Sequence, residues 1–386
     1  MAEDPRVAVT LTQLSHRVPG GTATSVLRLV AALGERGGVT PVGVLARGDL
    51  RRPASVLHPR DHTGPCTAPP DSVTMPLPLP VLYDAWCRTG RPRVERTTGP
   101  VDLVHVTAPV RVGVGATPVV ATVHDLFPIT RPHESSPRGR RLMAAGLEWI
   151  RRTAAAVMVP SHAVSGACVA HGFDPDRLHV VPWGVEAHVP GPDEVASVGR
   201  RHGLVGPHVL FLGTVEPRKN LVSLIEAMAR MDRPELTLAI AGPAGWGDQL
   251  DTLLAGLASP VVRLGMVPAA DLPGLLAGAD AVCLPSHDEG FGLPVLEAMA
   301  AGAAVVTSGV GATAEVAGDA AVLVDPADVG SIVAGLTSVL DDDAVSARLR
   351  SAGAERARGF SWQATATATA AVYGEVLGRD LGSVAR

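Results

Sequence analysis

The sequence has 386 residues, which is too long for a single compact core, so we expect at least two domains. Its composition, 46% hydrophobic and 18% charged, is that of a globular protein. The net charge of −5 and the lack of a long basic run argue against a nucleic-acid backbone as partner. The aromatic content of 3% argues against stacking on single strands. We therefore expect no nucleic-acid partner.

The N-terminus and the cysteines predict a cytoplasmic location. Glu3 and Asp4 precede the first apolar run, which is unlike a signal peptide. No apolar run reaches about 18 residues, so no transmembrane helix is expected. The cysteines form no CxxC pair and match no zinc spacing, so we interpret them as buried thiols: Cys66, Cys87, Cys168 and Cys283.

In the first half of the chain, short apolar runs alternate with helical patterns. Strands are predicted at 7–11, 39–45, 103–106, 119–123, 155–159 and 178–181, and helices at 22–36, 138–152 and from Ser161. A Pro-Gly-Gly turn precedes the first helix. Residues 46–100 are rich in Pro and Arg, and we predict no order of elements there. The pattern fades over 187–205, which we interpret as a linker.

The second half repeats the alternation. Strands are predicted at 209–212, 236–241, 261–264, 281–284, 303–307 and 321–324, and helices at 220–230, 247–258, 269–278, 293–301, 328–340, 343–357 and 361–378. Buried strands separated by helices predict parallel sheets. We therefore expect an α/β protein with two doubly wound, Rossmann-like domains at 1–186 and 206–360. Ligands bind beyond the carboxyl ends of such strands, and we expect those ends to face a central cleft.

The most informative segment is EGFGLPVLEAMAAG, residues 289–302. Gly290 and Gly292 bracket Phe291 just before a predicted helix starts at Leu293. Free N–H groups at a helix start, beside glycines, suit an anion such as pyrophosphate. The carboxylates of Glu289 and Glu297 can accept hydrogen bonds from sugar hydroxyls. On spacing alone, an acidic helix cap favoured by the macrodipole remains an alternative.

Three further segments lie at strand ends. Arg218 and Lys219 follow a strand and Gly213, where their charges suit phosphate oxygens, although such a pair is often only solubilising. His124 follows a buried strand and can be either structural or functional. The glycine pair Gly20–Gly21 is, by itself, a turn.

These segments together resemble family 4 glycosyltransferases. The resemblance is carried by residues 289–302 and continues through 303–308, Glu315, Gly318 and 322–326, covering the chain from about Val7 to Trp362. It implies the GT-B fold, with 361–386 as a C-terminal helix that returns toward the N-terminal domain. It also implies an enzyme that moves a hexose from a UDP- or GDP-sugar with retention of anomeric configuration. Attack from the front face, with the leaving phosphate taking the acceptor proton, is the implied route.

The resemblance assigns the catalytic group to His124, Glu289, Arg218 and Lys219. It places the two cations on the donor diphosphate, Glu289 on the sugar hydroxyls, and His124 on the donor sugar, with Asp125 as a partner for its other ring nitrogen. The sequence departs from the family at Thr214, where many members have Arg, and at Trp183, where Asn or His is commoner.

The remaining donor-binding residues are also implied by the resemblance. Gly20 and Gly21 lie beside the donor phosphate, and Val267 and Ser286 form the wall around the nucleotide base. The ribose is assigned to Glu297. The other members of the predicted donor site are Gly213, Gly290, Phe291, Gly292 and Leu293.

No DxD motif has the context of a metal site, and Asp341–Asp343 reads as an acidic loop before a helix. We therefore expect no metal and no cofactor, as in the family. The acceptor is expected to be a small polar natural product of the aminocyclitol kind, and the alternative is a polysaccharide or lipid-linked glycan, as for a mannosyltransferase. A nucleotide-sugar epimerase and an inactive binding subunit are the rival functions. The arginines of 131–152 predict a solvated helix face or, alternatively, a weak contact with a membrane surface or an anionic acceptor.

Overall fold

The computed structural model describes residues 3–15, 20–48, 71–134, 136–243 and 249–382. The chain divides into two compact units. Unit 1 comprises Met1–Gly184 and Trp362–Arg386, and unit 2 comprises Val185–Ser361. Each unit contains one parallel β-sheet. Predictions for Pro19 and Cys66 lie outside the described residues.

The sheet of unit 1 has seven strands in the order β3-β2-β1-β4-β5-β6-β7. All neighbours pair in parallel. The strands are β1 Arg6–Thr10, β2 Thr40–Leu45, β3 Val73–Thr74, β4 Leu103–Val106, β5 Val119–Thr122, β6 Ala156–Val159 and β7 Leu178–Val180. The strand order reverses between β1 and β4, so this is a doubly wound sheet with its switch point at those two strands.

Helices surround this sheet. They are α1 Gly20–Arg36, α2 Leu79–Thr89, α3 Glu95–Thr98, α4 Phe127–Thr130, α5 Pro137–Thr153, α6 His162–Ala170 and α15 Trp362–Leu377. Strands β4, β5 and β6 are buried along their whole length, as expected for parallel strands covered on both faces. Trp86 of α2 is fully buried and is among the largest side chains of the core.

The C-terminal helix α15 is anchored in unit 1 by buried polar contacts. Tyr373 OH lies 2.8 Å from Nδ1 of His105 on β4, and the two rings meet edge to face. The other ring nitrogen of His105 lies 2.7 Å from Thr122 Oγ1 on β5. Thr365 Oγ1 donates to Pro182 O over 2.8 Å. These bonds satisfy polar groups whose burial would otherwise be costly.

The sheet of unit 2 has six parallel strands in the order β10-β9-β8-β11-β12-β13. The strands are β8 His208–Leu212, β9 Thr237–Ala241, β10 Val261–Gly265, β11 Ala281–Leu284, β12 Val305–Ser308 and β13 Val322–Val324. The helices are α7 Pro192–His202, α8 Leu221–Met231, α9 Gln249–Ala255, α10 Leu272–Gly278, α11 Leu293–Ala300, α12 Gly311–Ala317, α13 Val329–Leu340 and α14 Asp343–Ala357. The switch point lies between β8 and β11.

The segment predicted as a linker, 187–205, is instead helical over Pro192–His202. Helix α7 has Pro at its first position, acidic residues in its first turn and a left-handed Gly203 after its last. Its apolar face is narrow because the partner helix α10 presents glycines. A Cβ at Gly274 would lie 2.8 Å from Val198 Cγ2. Two helices can therefore pack closely with few apolar side chains, which a hydrophobic periodicity does not reveal.

The stretch 46–100, for which no order was predicted, contains β3, α2 and α3 in its described part. Helix α2 starts after Pro78 with Pro at one of its first two positions and ends at a left-handed Gly90. The proline that made the segment look irregular is therefore a helix-start signal.

Within the described residues, no helix has both the length and the apolar character needed to cross a bilayer. The basic helix α5 buries Gly146, Leu147 and Ile150. Arg138 pairs with Asp84 over 2.7 Å, and Arg151 pairs with Glu148 over 2.8 Å. This arrangement favours the solvated-face interpretation, and contact with a membrane surface stays a prediction.

Candidate active site

In unit 2 the cations and the carboxylate predicted from sequence meet at the switch point. Arg218 and Lys219 lie in a single 3-10 turn, Pro217–Lys219, that follows β8, and Glu289 lies in the loop that follows β11. Because β8 and β11 are neighbours in the sheet, loops 70 residues apart in sequence come together. His287 N donates to Arg218 O over 2.8 Å, which ties the two loops through their backbones.

Both oxygens of the Glu289 carboxylate are engaged. Oε1 accepts hydrogen bonds from Lys219 Nζ and, over 2.9 Å, from Ser286 Oγ. Oε2 accepts from Arg218 Nη1 over 2.9 Å. The side chain is 10% exposed, and that of Lys219 is 9% exposed. A carboxylate this buried is stable only because charged partners compensate its desolvation.

The pKa of Glu289 is lowered to about 2. Burial by itself raises the pKa, but the charges of Lys219 and Arg218, and the hydrogen bonds from Lys219 and Ser286, outweigh it. Glu289 is therefore ionised at any working pH and cannot serve as a general acid. Arg218 Nε also pairs with Glu216 Oε2 over 3.0 Å, so two cations and two carboxylates balance within this group.

Lys219 is the one lysine in a sequence of 386 residues that has 33 basic residues. Arginine occupies every other cationic position. The aliphatic stem of Lys219 lies against Gly213, where a Cβ would be 3.6 Å from Lys219 Cδ and Cε. A Cβ at Gly242 would in turn lie 2.0 Å from Gly213 O. The lysine ammonium is a compact point charge, whereas a guanidinium is a wider planar group.

Helix α11 begins without a side-chain cap among the described residues. Its N-cap, Gly292, has φ 101°, a left-handed conformation that other residues rarely adopt, and it has no side chain that could cap the helix. Pro294 stands in the first turn. The predicted role of Phe291 is limited to its backbone, because its ring is 6% exposed and packs edge to face on Phe360 at 6.0 Å.

Glu297, one turn further into α11, has a buried carboxylate oxygen. Its Oε2 has no hydrogen-bond partner among the described residues. A buried carboxylate oxygen left unpaired in this way costs free energy unless a ligand satisfies it. The predicted ribose contact would supply two hydroxyl donors to this group.

Ser286 and Val267 were both predicted to line the nucleotide base. The Ser286 hydroxyl donates to Glu289 Oε1, and Ser286 O accepts from Ser308 Oγ, while its contact with a base stays a prediction. Ser286 thus supports the carboxylate directly. Val267 follows β10 and its side chain is 8% exposed, so only its backbone can reach a ligand.

In unit 1, Gly20 and Gly21 are the first residues of α1 rather than a turn before it. They lie at the amino end of a 17-residue helix, where backbone N–H groups favour anions. The contact of these glycines with a donor phosphate stays a prediction.

His124 follows β5 and is half-buried. Its Nε2 lies 3.0 Å from Thr107 O, and its ring stacks on Trp183 with centroids 5.4 Å apart and an interplanar angle of 29°. The predicted partner Asp125 uses Oδ1 to accept from Phe127 N over 3.0 Å. Burial lowers the pKa of His124 to about 4, against a smaller opposing effect of the Thr107 hydrogen bond. The imidazole is therefore neutral at pH 7.

A buried polar cluster lies beneath His124 at the switch point of unit 1. Thr107 follows β4, and its Oγ1 accepts a hydrogen bond from Gln13 Nε2 over 2.9 Å. The backbone N–H of Thr107 donates to Thr10 Oγ1 over 3.0 Å. Thr107 Oγ1 in turn donates to Thr10 O. The cluster fixes the carbonyl that accepts from His124.

Among the described residues, no group of three or more His, Cys, Asp or Glu side chains is arranged to hold a metal ion. Asp341 pairs with Arg233 over 2.6 Å, and Asp342 caps α14 by accepting from Ala344 N and Val345 N. Asp341 and Asp342 thus precede the helix, as predicted, whereas Asp343 is its first residue. Metal independence itself stays a prediction, as does the shared cleft of the two half-sites.

Asn220 and the single lysine are two features of this site that were not predicted from the sequence. Asn220 is 4% exposed, has φ 58°, and donates through Nδ2 to Pro285 O and Pro326 O. Asn is one of the few residues that tolerate this conformation, so an Asn directly before a helix was an available signal. The second available signal was that the sequence has a single lysine among its 33 lysine and arginine residues.

Two family models match the chain. "Glycosyltransferase Family 4" matches residues 19–189, and "Glycosyl transferases group 1" matches residues 203–356. The first range contains strands β2 to β7 of unit 1, and the second contains all six strands of the unit 2 sheet.

Curated relatives support the same family. The O-antigen chain mannosyltransferase B of Escherichia coli is 34% identical over 265 residues, which is 66% of this chain and 69% of that protein. The MMP alpha-(1->4)-mannosyltransferase of Mycolicibacterium hassiacum is 33% identical over 282 residues, 68% of this chain and 66% of that protein.

Among solved structures, Anabaena Alr3699/HepE in complex with UDP and glucose has the same fold. Its TM-score is 0.75 at 20% identity, and the match covers 96% of this chain and 100% of that one. This chain therefore belongs to glycosyltransferase family 4 and is a GT-B glycosyltransferase, a hexosyltransferase that uses nucleotide sugars.

Proposed function

We propose that the protein transfers a hexose, with retention of configuration, from a nucleoside-diphosphate sugar to a hydroxyl group of a glycan. The observation that carries the proposal is the Lys219–Glu289–Arg218 group, which stands at the switch point of unit 2. A glycan acceptor is preferred to an aminocyclitol because two relatives that are over 30% identical are named as mannosyltransferases. The same names make mannose the first sugar to test.

Donor cleavage separates charge, and each charge has a counterpart among these residues. The anomeric C–O bond breaks with its electron pair on the diphosphate, and the sugar becomes oxocarbenium-like. Lys219, Arg218 and the amides at the start of α11 stabilise the departing phosphate. The ionised Glu289 stabilises the positive sugar and accepts from its hydroxyls.

Retention is proposed to follow from attack on the face that the diphosphate leaves. The new bond joins the acceptor oxygen to the anomeric carbon, and the acceptor proton passes to a phosphate oxygen of the leaving group. The two oxygens of Glu289 already accept three hydrogen bonds, which disfavours its use as a covalent nucleophile. No metal is required in this scheme, since Lys219 and Arg218 provide the positive charge.

The donor is identified by thermal shift with GDP-mannose, UDP-mannose, UDP-glucose and dTDP-glucose, because a ligand that binds the native state raises the melting temperature. The selected donor is then incubated with oligomannosides and with inositol, with and without EDTA. We expect an α-linked product by NMR and an unchanged rate in EDTA. A β-linked product, an epimerised donor without acceptor, or loss of activity in EDTA would each contradict a stated part of the proposal.

A further inference from the structure

The His124 ring is constrained on two sides by residues of its own unit. Its Nε2 lies 3.0 Å from Thr107 O. One face stacks on Trp183, and Trp183 itself is 4% exposed and lies against Trp362, with centroids 6.2 Å apart. The histidine is thus held by a strand end and by a tryptophan pair.

The hydrogen bond to Thr107 settles which nitrogen carries the proton. A carbonyl oxygen only accepts, so Nε2 must be the N–H donor. In the neutral ring, Nδ1 then keeps a lone pair and is an acceptor. Among the described residues, no hydrogen bond to Nδ1 of His124 is found. Nδ1 is therefore the ring position left for a ligand hydroxyl.

The single hydrogen bond does not by itself fix the plane of the ring. The ring turns about its Cβ–Cγ bond, and small turns that keep Nε2 within reach of Thr107 O still change the direction of Nδ1. The face of Trp183 restricts that movement, because the two rings stack with centroids 5.4 Å apart and 29° between their planes. Trp362 behind it prevents Trp183 from turning aside.

We propose that Trp183 is a positioning residue: it holds the His124 ring in the plane that keeps the Thr107 hydrogen bond, and with it the tautomer, so that Nδ1 accepts a hydrogen bond from a hydroxyl of the transferred sugar. The inference rests on the proposed function for the sugar contact, but the claim about the ring does not need a ligand. Trp183 itself touches no reacting atom in this scheme.

The test compares Trp183→Leu, Trp183→Phe and Trp149→Leu in the full chain. Phe keeps an aromatic face, whereas Leu removes it. Trp149 is a half-buried tryptophan of α5 in the same unit and is the matched control for loss of packing. Nitrogen-15 NMR of labelled histidines reads the tautomer directly, and His124→Gln identifies the signals of His124.

In the parent chain we expect a protonated Nε2 and an unprotonated Nδ1. Trp183→Leu should give averaged nitrogen signals and a kcat roughly tenfold lower or more, with KM for GDP-mannose or UDP-glucose changed less than about threefold. Trp183→Phe should have nitrogen signals and a kcat close to those of the parent chain. Trp149→Leu should leave the nitrogen signals and kcat unchanged. An unchanged tautomer and rate in Trp183→Leu, or equal losses in the two Leu variants, overturns the proposal. If the signals change as expected while His124→Gln keeps full activity, the ring is positioned but the proposed sugar contact is wrong.

Discussion

Arg218 donates from Nη1 to Glu289 Oε2 over 2.9 Å, and this contact joins the loop after β8 to the loop after β11. If Arg218 and Lys219 hold the donor diphosphate as proposed, the carboxylate competes with it for the same cations. It also keeps those cations, which lie in a largely buried setting, paired in the absence of a ligand.

This competition predicts a split between binding and turnover in Glu289→Gln. The amide releases Lys219 and Arg218 from an anionic partner, so the affinity for UDP or GDP should stay equal or increase. Turnover should fall about 100-fold, a loss of ~3 kcal/mol in transition-state stabilisation. Calorimetry and donor kinetics measure the two effects. Glu148→Gln, which removes an exposed carboxylate paired with Arg151, is the control and should change neither. Near-parental turnover in Glu289→Gln would contradict the site.

Lys219→Arg should inactivate the enzyme although the charge is kept. The guanidinium is wider than the ammonium, and it would have to replace a group that is 9% exposed and already donates to Glu289 Oε1. We expect kcat/KM to fall at least tenfold, with a melting temperature close to that of the parent. Because the chain has one lysine, an amine-reactive reagent should label only this side chain and the N-terminus. Protection of that label by UDP or GDP would confirm that Lys219 lies in the donor site, and equal labelling with and without nucleotide would contradict it.

Glu297→Met should have opposite effects on stability and binding. Replacement of a buried, unpaired carboxylate oxygen by an apolar group of similar size should raise the free energy of unfolding by ~1 kcal/mol. The same change should weaken binding of the nucleoside diphosphate about tenfold, since the ribose acceptor is lost. Urea unfolding and calorimetry give the two values. A destabilised variant with unchanged nucleotide affinity would show that Glu297 is structural.

Gly292→Ala should damage the start of α11. At φ 101°, a side chain costs about 1–3 kcal/mol of strain, and a Cβ would lie 3.4 Å from Thr313 Cγ2. Nucleotide affinity should fall together with stability, because the amides of this turn move. Gly166→Ala is the matched control: Gly166 lies inside α6 with nothing within 4 Å of the added Cβ, so this change should be neutral or stabilising. Equal behaviour of the two variants would argue against the special backbone of Gly292.

The two histidines of unit 1 predict a loss of stability in mild acid. Burial lowers the pKa of His105 from 6.5 to about 3 and that of His124 from 6.5 to about 4. Below pH 6.5 the unfolded chain therefore binds protons that the native protein does not, and the free energy of unfolding falls as the pH falls toward 3. Glu289 adds a second loss of stability between pH 4.5 and 2. In this range its carboxylate takes up a proton in the unfolded chain but not yet in the native protein.

His105→Gln isolates the larger of the two histidine effects. The variant should be less stable at pH 8, because the contacts with Tyr373 and Thr122 are altered, but its stability should depend less on pH between 6.5 and 4. Urea unfolding at several pH values measures that slope. An unaltered slope would mean that His105 does not titrate as its burial implies.

Much of the fold was predictable because each element has a local cause. The strands of both sheets read as short apolar runs since helices cover both faces, and most of their bounds differ from the prediction by only one or two residues. Helix α7 was missed because glycines of α10 provide the close packing surface, and no pattern within 187–205 records them. Helix α2 was missed because its proline sits at the helix start rather than in a loop.

The candidate site, too, was predictable from the sequence only in part. The residue types of Arg218, Lys219 and Glu289, and their places after strands, are properties of the sequence alone. Their pairing is not, since it depends on β8 lying beside β11, an order set by crossover connections between distant segments. The stack of Trp183 on His124 likewise needs two strand ends and the start of α15 to meet. The sequence by itself determined which chemical groups end the strands, and only the tertiary structure decided which of those groups touch, because contacts between parallel strands join residues far apart along the chain.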